Sequence, residues 1–454
     1  MSKRIVALID GEHYLPVTRA ALEKLGDEVV AAVFIGGMEK IGTPDDLKQL
    51  DVPVVMRETA LAGIRHAIEE YEPDVVFDLS DEPVVGYNER MSMACEIMSQ
   101  GVIYKGPDFE FTPPGFPRLC EKPSMAVIGT GKRIGKTAIT AHMARVLNGQ
   151  EGDFDTVWSP CIVTMGRGGP AEPELIKGDE IELTPSYLVD ISNKGTHASS
   201  DHYEDALMAR ITTVGCRRCG GGFSGRVFDS TVPEGVKLAN KLPADFVLFE
   251  GSGASFPDVA ADATVAVVGA NQPLEYISGF MGPYRIDRAD LVVITLCEYP
   301  SADPEKIESI ERAIREINPV IKVVRTIFRP RPLIDVTEKK AIVATTAPLE
   351  FQRILADHLA TAYACEVLFV THNLSNRPKL RKDLSEAMSK HADADVLITE
   401  LKAASVDVAA KSAIENGLEV VFMDNVPETA GGDGELDALT IETAKSAQSR
   451  FSLR

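Results

Sequence analysis

The run Ser124-Met-Ala-Val-Ile-Gly-Thr-Gly-Lys-Arg-Ile-Gly-Lys-Thr137 leaves little freedom in how the middle of this 454-residue chain folds. Met125 to Ile128 is a short apolar run of the length of a buried parallel strand. A glycine-rich turn follows, then a helix with Ile139, Met143, Val146 and Leu147 on one face. The turn closes in Gly135-Lys136-Thr137, the tail of a phosphate-binding loop. Successive backbone N–H groups and a helix N-terminus make a cradle for anions. Nucleotide binding is therefore expected at Gly129, Thr130, Gly131, Gly135, Lys136 and Thr137, with Lys136 on the terminal phosphates and the Thr137 hydroxyl at a magnesium position. The usual spacing wants a glycine where this chain has Thr130, with Gly129 one step before it.

A chain of this length is expected to fold as two or three domains. Its net charge of −21 argues against nucleic acid or an anionic membrane as partner. An anionic substrate would then require lysine and arginine to be concentrated locally. With 44% hydrophobic and 25% charged residues, composition is that of a soluble globular protein. No uncharged stretch reaches bilayer length, and Asp10 interrupts the apolar run Ile5 to Ile9 too early for a signal peptide. Seven scattered cysteines make no disulfide framework. A cytoplasmic location is expected.

Residues 1–118 alternate strand and helix in the order of a doubly wound, Rossmann-like sheet. Strands are expected at Ile5–Ile9, Val29–Ile35, Val52–Met56, Val75–Asp78 and Val102–Tyr104. Such sheets bind ligands beyond the carboxyl ends of their strands. Asp10-Gly-Glu-His13 and Asp78-Leu-Ser-Asp-Glu82 fall there. Asp10 and His13 read equally as ligand contacts or as helix caps, and Asp81 and Glu82 read as caps. No glycine fingerprint for a dinucleotide follows the first strand. Proline crowding at Thr112 to Pro117 marks a linker.

Residues 119–335 carry the phosphate loop within a parallel sheet. A strand over Val157–Thr164 ends in Met165-Gly-Arg167-Gly-Gly-Pro170, a second glycine-rich turn. Residues 171–242 read as a long polar insertion, functional by its size. Within it lies Gly215-Cys216-Arg-Arg-Cys219-Gly-Gly-Gly222. One reading is half a zinc site, completed by a pair such as His197 and His202 or by a second subunit. The favoured one is a flexible loop in which Arg217, Arg218 and Arg226 close over phosphate groups. An exposed loop with incidental basic residues is the third. Ala244 to Phe249 is a buried strand running into Glu250-Gly-Ser-Gly253, and an acid there is where phosphate-loop proteins hold magnesium. Residues 336–454 repeat the alternation, as a third α/β domain or an extension of the central sheet. His372 and Asn373 follow one of its strands as candidate ligand contacts.

Two motifs together point further. Gly129 to Thr137, with its glycine one place early, and Val247-Leu-Phe-Glu250-Gly-Ser-Gly253 resemble the phosphate loop and the Glu-Gly-Ala-Gly magnesium motif of the dethiobiotin synthetase group. In that group ATP phosphorylates an oxyanion and an internal nucleophile closes a ring. That resemblance covers the central segment only. From Ile9-Asp-Gly-Glu-His-Tyr14 through Gly129–Thr137, Gly215–Gly222 and Phe249–Gly253, the whole chain resembles the cyclic 2,3-diphosphoglycerate synthetase family of methanogenic archaea.

The resemblance implies an ATP- and Mg2+-dependent ligase that turns 2,3-diphosphoglycerate into its cyclic pyrophosphate, releasing ADP and phosphate. It implies Lys136 on the β- and γ-phosphates, Thr137 and Glu250 on magnesium, and Lys132 or Arg133 on the phosphoryl in transit. Arg167, Arg217 and Arg218 would hold the polyanionic substrate, with Asp10 and His13 as further contacts. A second magnesium carboxylate is expected among Glu172, Glu174 and Asp179, unranked. The first segment would close as a lid, and a homodimer would suit an enzyme of this length. The same loop also permits a kinase acting on a small acid such as 2-phosphoglycerate without cyclisation, or a nucleotide-dependent switch or metallochaperone.

Overall fold

The computed structural model describes residues 2–41 and 43–454. The chain divides into two compact units, one of residues 1–115, 273–288 and 313–319, the other of 116–272, 289–312 and 320–454.

In the first unit, β1 (Arg4–Ile9), α1 (Leu15–Lys24), β2 (Glu28–Phe34), β3 (Val54–Val55), α2 (Ala60–Tyr71), β4 (Val75–Asp78), α3 (Tyr87–Ser99), β5 (Ile103–Lys105) and β6 (Glu110–Phe111) follow in turn. The sheet order is β3-β2-β1-β4-β5-β6, all neighbours parallel except β5 and β6. The order reverses at β1, as in a doubly wound fold. Asp10 follows β1 and turns inward: it accepts from the backbone N–H groups of Glu12 and Asp81 and pairs with His13 Nδ1 at 2.8 Å. Its oxygens are thus used in tying two strand-end turns together.

The second unit begins with β7 (Ser124–Gly129), α4 (Lys136–Leu147), β8 (Pro160–Gly166), β9 (Glu174–Lys177), α5 (Pro185–Asn193), α6 (Asp201–Ala209), β10 (Thr212–Cys219), β11 (Asp229–Ser230), α7 (Val232–Ala239) and β12 (Phe246–Glu250). After β13 (Ala263–Gly269) come α8 (Glu275–Ser278) and α9 (Gly282–Asp287), both in the first unit, then β14 (Leu291–Thr295), α10 (Pro304–Ile317) and β15 (Lys322–Pro332). The chain ends with β16 (Lys340–Ala344), α11 (Gln352–Tyr363), β17 (Glu366–Thr371), α12 (Arg377–Lys390), β18 (Val396–Thr399), α13 (Lys411–Glu415), β19 (Glu419–Gly432) and α14 (Leu436–Ser452). One 13-stranded sheet runs β11-β10-β8-β12-β7-β13-β14-β15-β19-β18-β16-β17, with β9 on β10. The C-terminal strands therefore continue the central sheet.

Three features differ from the sequence expectation. The sheet is not wholly parallel: β15 and β19 pair antiparallel over their length, and β9 and β11 are antiparallel edges. Pro330 and Pro427 sit inside this ribbon and Pro332 ends β15, at positions whose N–H the ladder does not need. Residues 171–242 are no polar excursion. They supply β10, paired parallel to β8, and α6, whose residues from His202 to Ala209 are all buried. Finally, α4 is buried on every side except Thr137, not on one apolar face. It packs against α6, α14 and β19, and its polar residues find internal partners: His142 meets Asp437, and Arg145 meets Glu151 and Asp424.

The main core places Met125, Val127, Phe246, Leu248 and Val265 of the central strands against Ile139 and Met143 of α4. Burial of these side chains, about 1.5–3 kcal/mol each, fixes the carboxyl ends of β7, β8 and β12 at one edge of the layer. The site lies there.

Candidate active site

A cleft of about 720 Å³ opens at that edge. Its floor is the turn between β7 and α4. Gly129 stands where a Cβ would come within 2.8 Å of Ile134 and 2.9 Å of the Lys136 stem, which accounts for the early glycine. Thr130 replaces the usual glycine by hydrogen bonding to Gln272 at 2.5 Å. Gly135 has φ +81°, and Arg133 holds a left-handed φ of +57° at the exposed tip beside Lys132. Lys136 reaches back to donate to the Gly131 carbonyl at 2.8 Å. Burial pulls its ammonium down to about 8, against the pull of Glu250 and Asp201.

Thr137 Oγ1 donates to Glu250 Oε1 at 2.7 Å. Glu250 ends β12 beside Val127 of β7 and Thr164 of β8. A tight turn, closed by a bridge between Ser252 and Ser255, follows it. No helix starts there, so Glu250 caps nothing. Burial, with Asp201 nearby, pushes its carboxyl up to about 7.

Behind Glu250, α6 brings Asp201, Glu204 and Asp205 onto one face by their i, i+3, i+4 spacing. Asp205 is fully buried, and its carboxyl faces that of Glu250. Burial and then Glu250 hold its carboxyl well above the ordinary range. Two such acids side by side must share a proton or a cation. Glu204 is raised to about 8 by burial, opposed by Lys402 at 2.9 Å. Burial lowers the Lys402 ammonium, but Glu204 and Glu400 outweigh it and the net shift is upward.

Arg167 lines the same cleft as the loop, and Arg218 lies behind it as the second member of a cationic locus. Arg167 leaves the turn after β8, and Arg218 lies in β10. Gly253 has φ +64°, and a Cβ there would meet Arg167 Nη2 at 2.5 Å and Arg218 Nη2 at 3.5 Å. Arg218 is only 9% exposed. It donates to the carbonyls of Gly220 and Ser252, its Nε has no acceptor, and burial with Arg167 nearby lowers its pKa. Two guanidiniums converging this way hold a standing deficit of negative charge.

Some expectations fail on geometry. Arg217 and Arg218 are not in a flexible loop but in a strand, where neighbours face opposite ways; Arg217 is exposed and lies outside the cleft lining. Cys216 and Cys219 are also split by that alternation: the first is buried against Gly235, the second is exposed. They cannot clasp one ion. His202 is engaged by Ser200 and Glu174. Glu172, Glu174 and Asp179 stay off the cleft; Glu174 binds His202 and Tyr203, and Asp179 binds Thr212. His372 and Asn373 are turned to Ala347 and Asp383. Asp10 and His13 are a separate case: they belong to the first unit and pair with each other there.

Three family models match in succession: the N-terminal domain of cyclic 2,3-diphosphoglycerate synthetase at residues 4–112, its P-loop domain at 124–327 and its C-terminal domain at 332–426. Cyclic 2,3-diphosphoglycerate synthetase of Methanothermobacter thermautotrophicus is 47% identical over 100% of this chain and 98% of its own. The chain belongs to the cyclic 2,3-diphosphoglycerate synthetase family. Proteins of the same name from Thermococcus sibiricus and Rubrobacter xylanophilus are 48% and 46% identical, covering 93% and 95% of this chain and 94% and 96% of theirs. The chain is thus an enzyme of the cyclic 2,3-diphosphoglycerate synthetase family, and its P-loop domain is built for nucleotide use. No helix among the described residues is long and apolar enough to cross a membrane.

Sequence reasoning about this synthetase-family chain missed Asp201, Asp205 and Lys402. A signal existed for the first two: acids at i and i+4 in a segment otherwise rich in apolar residues. Lys402 follows the apolar strand β18, as Glu250 ends β12, but nothing local tied it to the loop.

Proposed function

We propose that this enzyme uses ATP to close 2,3-diphosphoglycerate into its cyclic pyrophosphate. The observation that carries the reading is the phosphate loop and Arg167 lining one cleft, with the buried Arg218 converging on Arg167 behind Gly253, which suits a nucleotide tail beside a small polyanion. An oxygen of one substrate phosphate attacks the γ-phosphorus of ATP; the bond to the β-phosphate bridge breaks and ADP leaves. An oxygen of the other substrate phosphate then attacks the proximal phosphorus of the new pyrophosphate. The P–O bond to the terminal phosphate breaks and inorganic phosphate leaves. Both nucleophiles are already anions, so no base is required. Confining both phosphates in one cleft gives effective molarities on the order of 10⁵ M or more.

Lys136 holds the β- and γ-phosphates, and Lys132 and Arg133 at the loop tip meet the group in transit. Arg167 and Arg218 fix the substrate, offsetting charge without moving. Thr137 and Glu250, with Asp201 lining the same cleft, are hard oxygen donors suited to a small hard cation, and Asp201 replaces the acids expected from sequence. Magnesium held there would neutralise negative charge on the phosphoryl group being transferred.

The chemical rival is a kinase that stops after the first transfer. Phosphorus NMR of ATP with 2,3-diphosphoglycerate separates them. Cyclisation yields one inorganic phosphate per ADP and a cyclic pyrophosphate resonance; ADP without inorganic phosphate overturns the proposal.

A further inference from the structure

We infer that the C-terminal segment supplies the nucleobase site. The inference rests on the phosphate-loop reading and adds where the rest of the nucleotide goes. Charged and polar residues line part of the cleft: the Arg167 turn and residues 199–201, 250, 252, 400 and 402. One wall is apolar. Phe328 and Pro330 of β15, Phe351 in the 3-10 turn before α11, and Ile354 and Leu355 in the first turn of α11 line it together. Phe328, Phe351 and Ile354 are only partly buried. Apolar side chains left open beside the charged loop suit a flat apolar ligand.

The wall begins at the loop itself. A Cβ at Gly135 would come within 2.3 Å of the Phe328 ring. Along a phosphate loop the terminal phosphates lie over the Lys136 end of the turn, and the tail leaves past the first helical turn, here Thr137 and Ala138. Both residues line the same cleft. A nucleoside leaving there meets β15 and the start of α11, which pack on one another. Asn425, paired across the ribbon with Pro330, adds an amide that can both donate and accept. A purine offers a face for the aromatic rings and an edge for that amide. The occupant is the base of a purine nucleoside triphosphate, and the site exists only because the C-terminal strands continue the loop's own sheet.

Calorimetry on the full chain with magnesium tests this, using the β,γ-imido analogue of ATP and inorganic tripolyphosphate as probes. Tripolyphosphate reads the loop alone; the analogue reads loop and wall. Phe351→Ala is expected to weaken the analogue about tenfold or more and leave tripolyphosphate affinity unchanged. Ile354→Ala should act in the same direction, and Phe351→Trp should restore binding. Unchanged analogue affinity in both alanine variants overturns the wall. So does an equal loss for both probes, which would report damage to the loop. Failure of tripolyphosphate to bind the parent chain overturns the phosphate-loop reading itself, and the wall with it.

Discussion

Thr137 Oγ1 and Glu250 Oε1 lie 2.7 Å apart, although 113 residues separate them in the chain. One begins the helix after β7 and the other ends the neighbouring strand β12, so the parallel register brings a hydroxyl and a buried carboxylate to one point. Glu250→Gln keeps the shape and the hydrogen bond but removes the charge. The magnesium concentration for half-maximal turnover should rise about tenfold to a hundredfold, measured by metal titration at saturating nucleotide. An unchanged titration removes Glu250 from the metal site.

Lys136 is held with its ammonium out of water, so its charge costs stability in the ligand-free chain. Lys136→Met should therefore melt at the same temperature or higher while turnover falls by about 10²-fold or more. Scanning calorimetry alongside initial rates checks both halves. A lower melting temperature would show that the ammonium stabilises the resting fold.

Glu250 and Glu204 are raised from 4.5 to about 7 and about 8. Between those values the folded chain holds protons that the unfolded chain has released, so stability is fully present below 4.5 and is lost as pH rises through 7 to 8. Lys136 has the opposite sign but acts only above about 8. The melting temperature of the ligand-free chain should fall between pH 5.5 and 8, and magnesium with nucleotide should flatten the slope. Asp205→Asn should flatten it without ligand. A profile that rises over this range contradicts the buried acid cluster.

Arg167 is exposed at the second locus, whereas Arg218 also props the Ser252 carbonyl. Arg167→Ala should raise the KM for 2,3-diphosphoglycerate about tenfold or more with nucleotide affinity intact. Arg218→Ala should do the same and also lower the melting temperature, because it strands a buried carbonyl. Equal effects on both substrates would place these arginines on the nucleotide instead.

The split of Cys216 from Cys219 gives an asymmetric expectation. Cys216→Ser buries a hydroxyl and should cost about 1–3 kcal/mol; Cys219→Ser, on the exposed face, should be neutral by thermal melting. Metal analysis of the purified chain should find no stoichiometric zinc held by this pair, and its loss in both serine variants would reverse that conclusion.

Sequence carried the site as far as local chemistry reaches. Gly129 to Thr137 and Glu250 stand out because strand-end position and residue type together specify a task. Strand alternation could have separated Arg217 from Arg218, but only once Thr212–Cys219 is recognised as a strand, and the glycines after it read as a loop. Asp205 and Lys402 became meaningful through tertiary placement: α6 had to lie beside β12, and the C-terminal strands had to continue the central sheet. That continuation depends on the β15–β19 ribbon, an antiparallel pairing of segments about a hundred residues apart that no local pattern announces. Burial likewise overrode pattern in α4, where helices on two more sides enclose residues that periodicity leaves exposed.

The most direct measurement is a crystal structure of the full chain grown with ADP, magnesium and 2,3-diphosphoglycerate. The account predicts the diphosphate over residues 131–138, a metal ion between Thr137 and Glu250, and the substrate against Arg167 and Arg218. Nucleotide bound elsewhere, with that loop open, would contradict it.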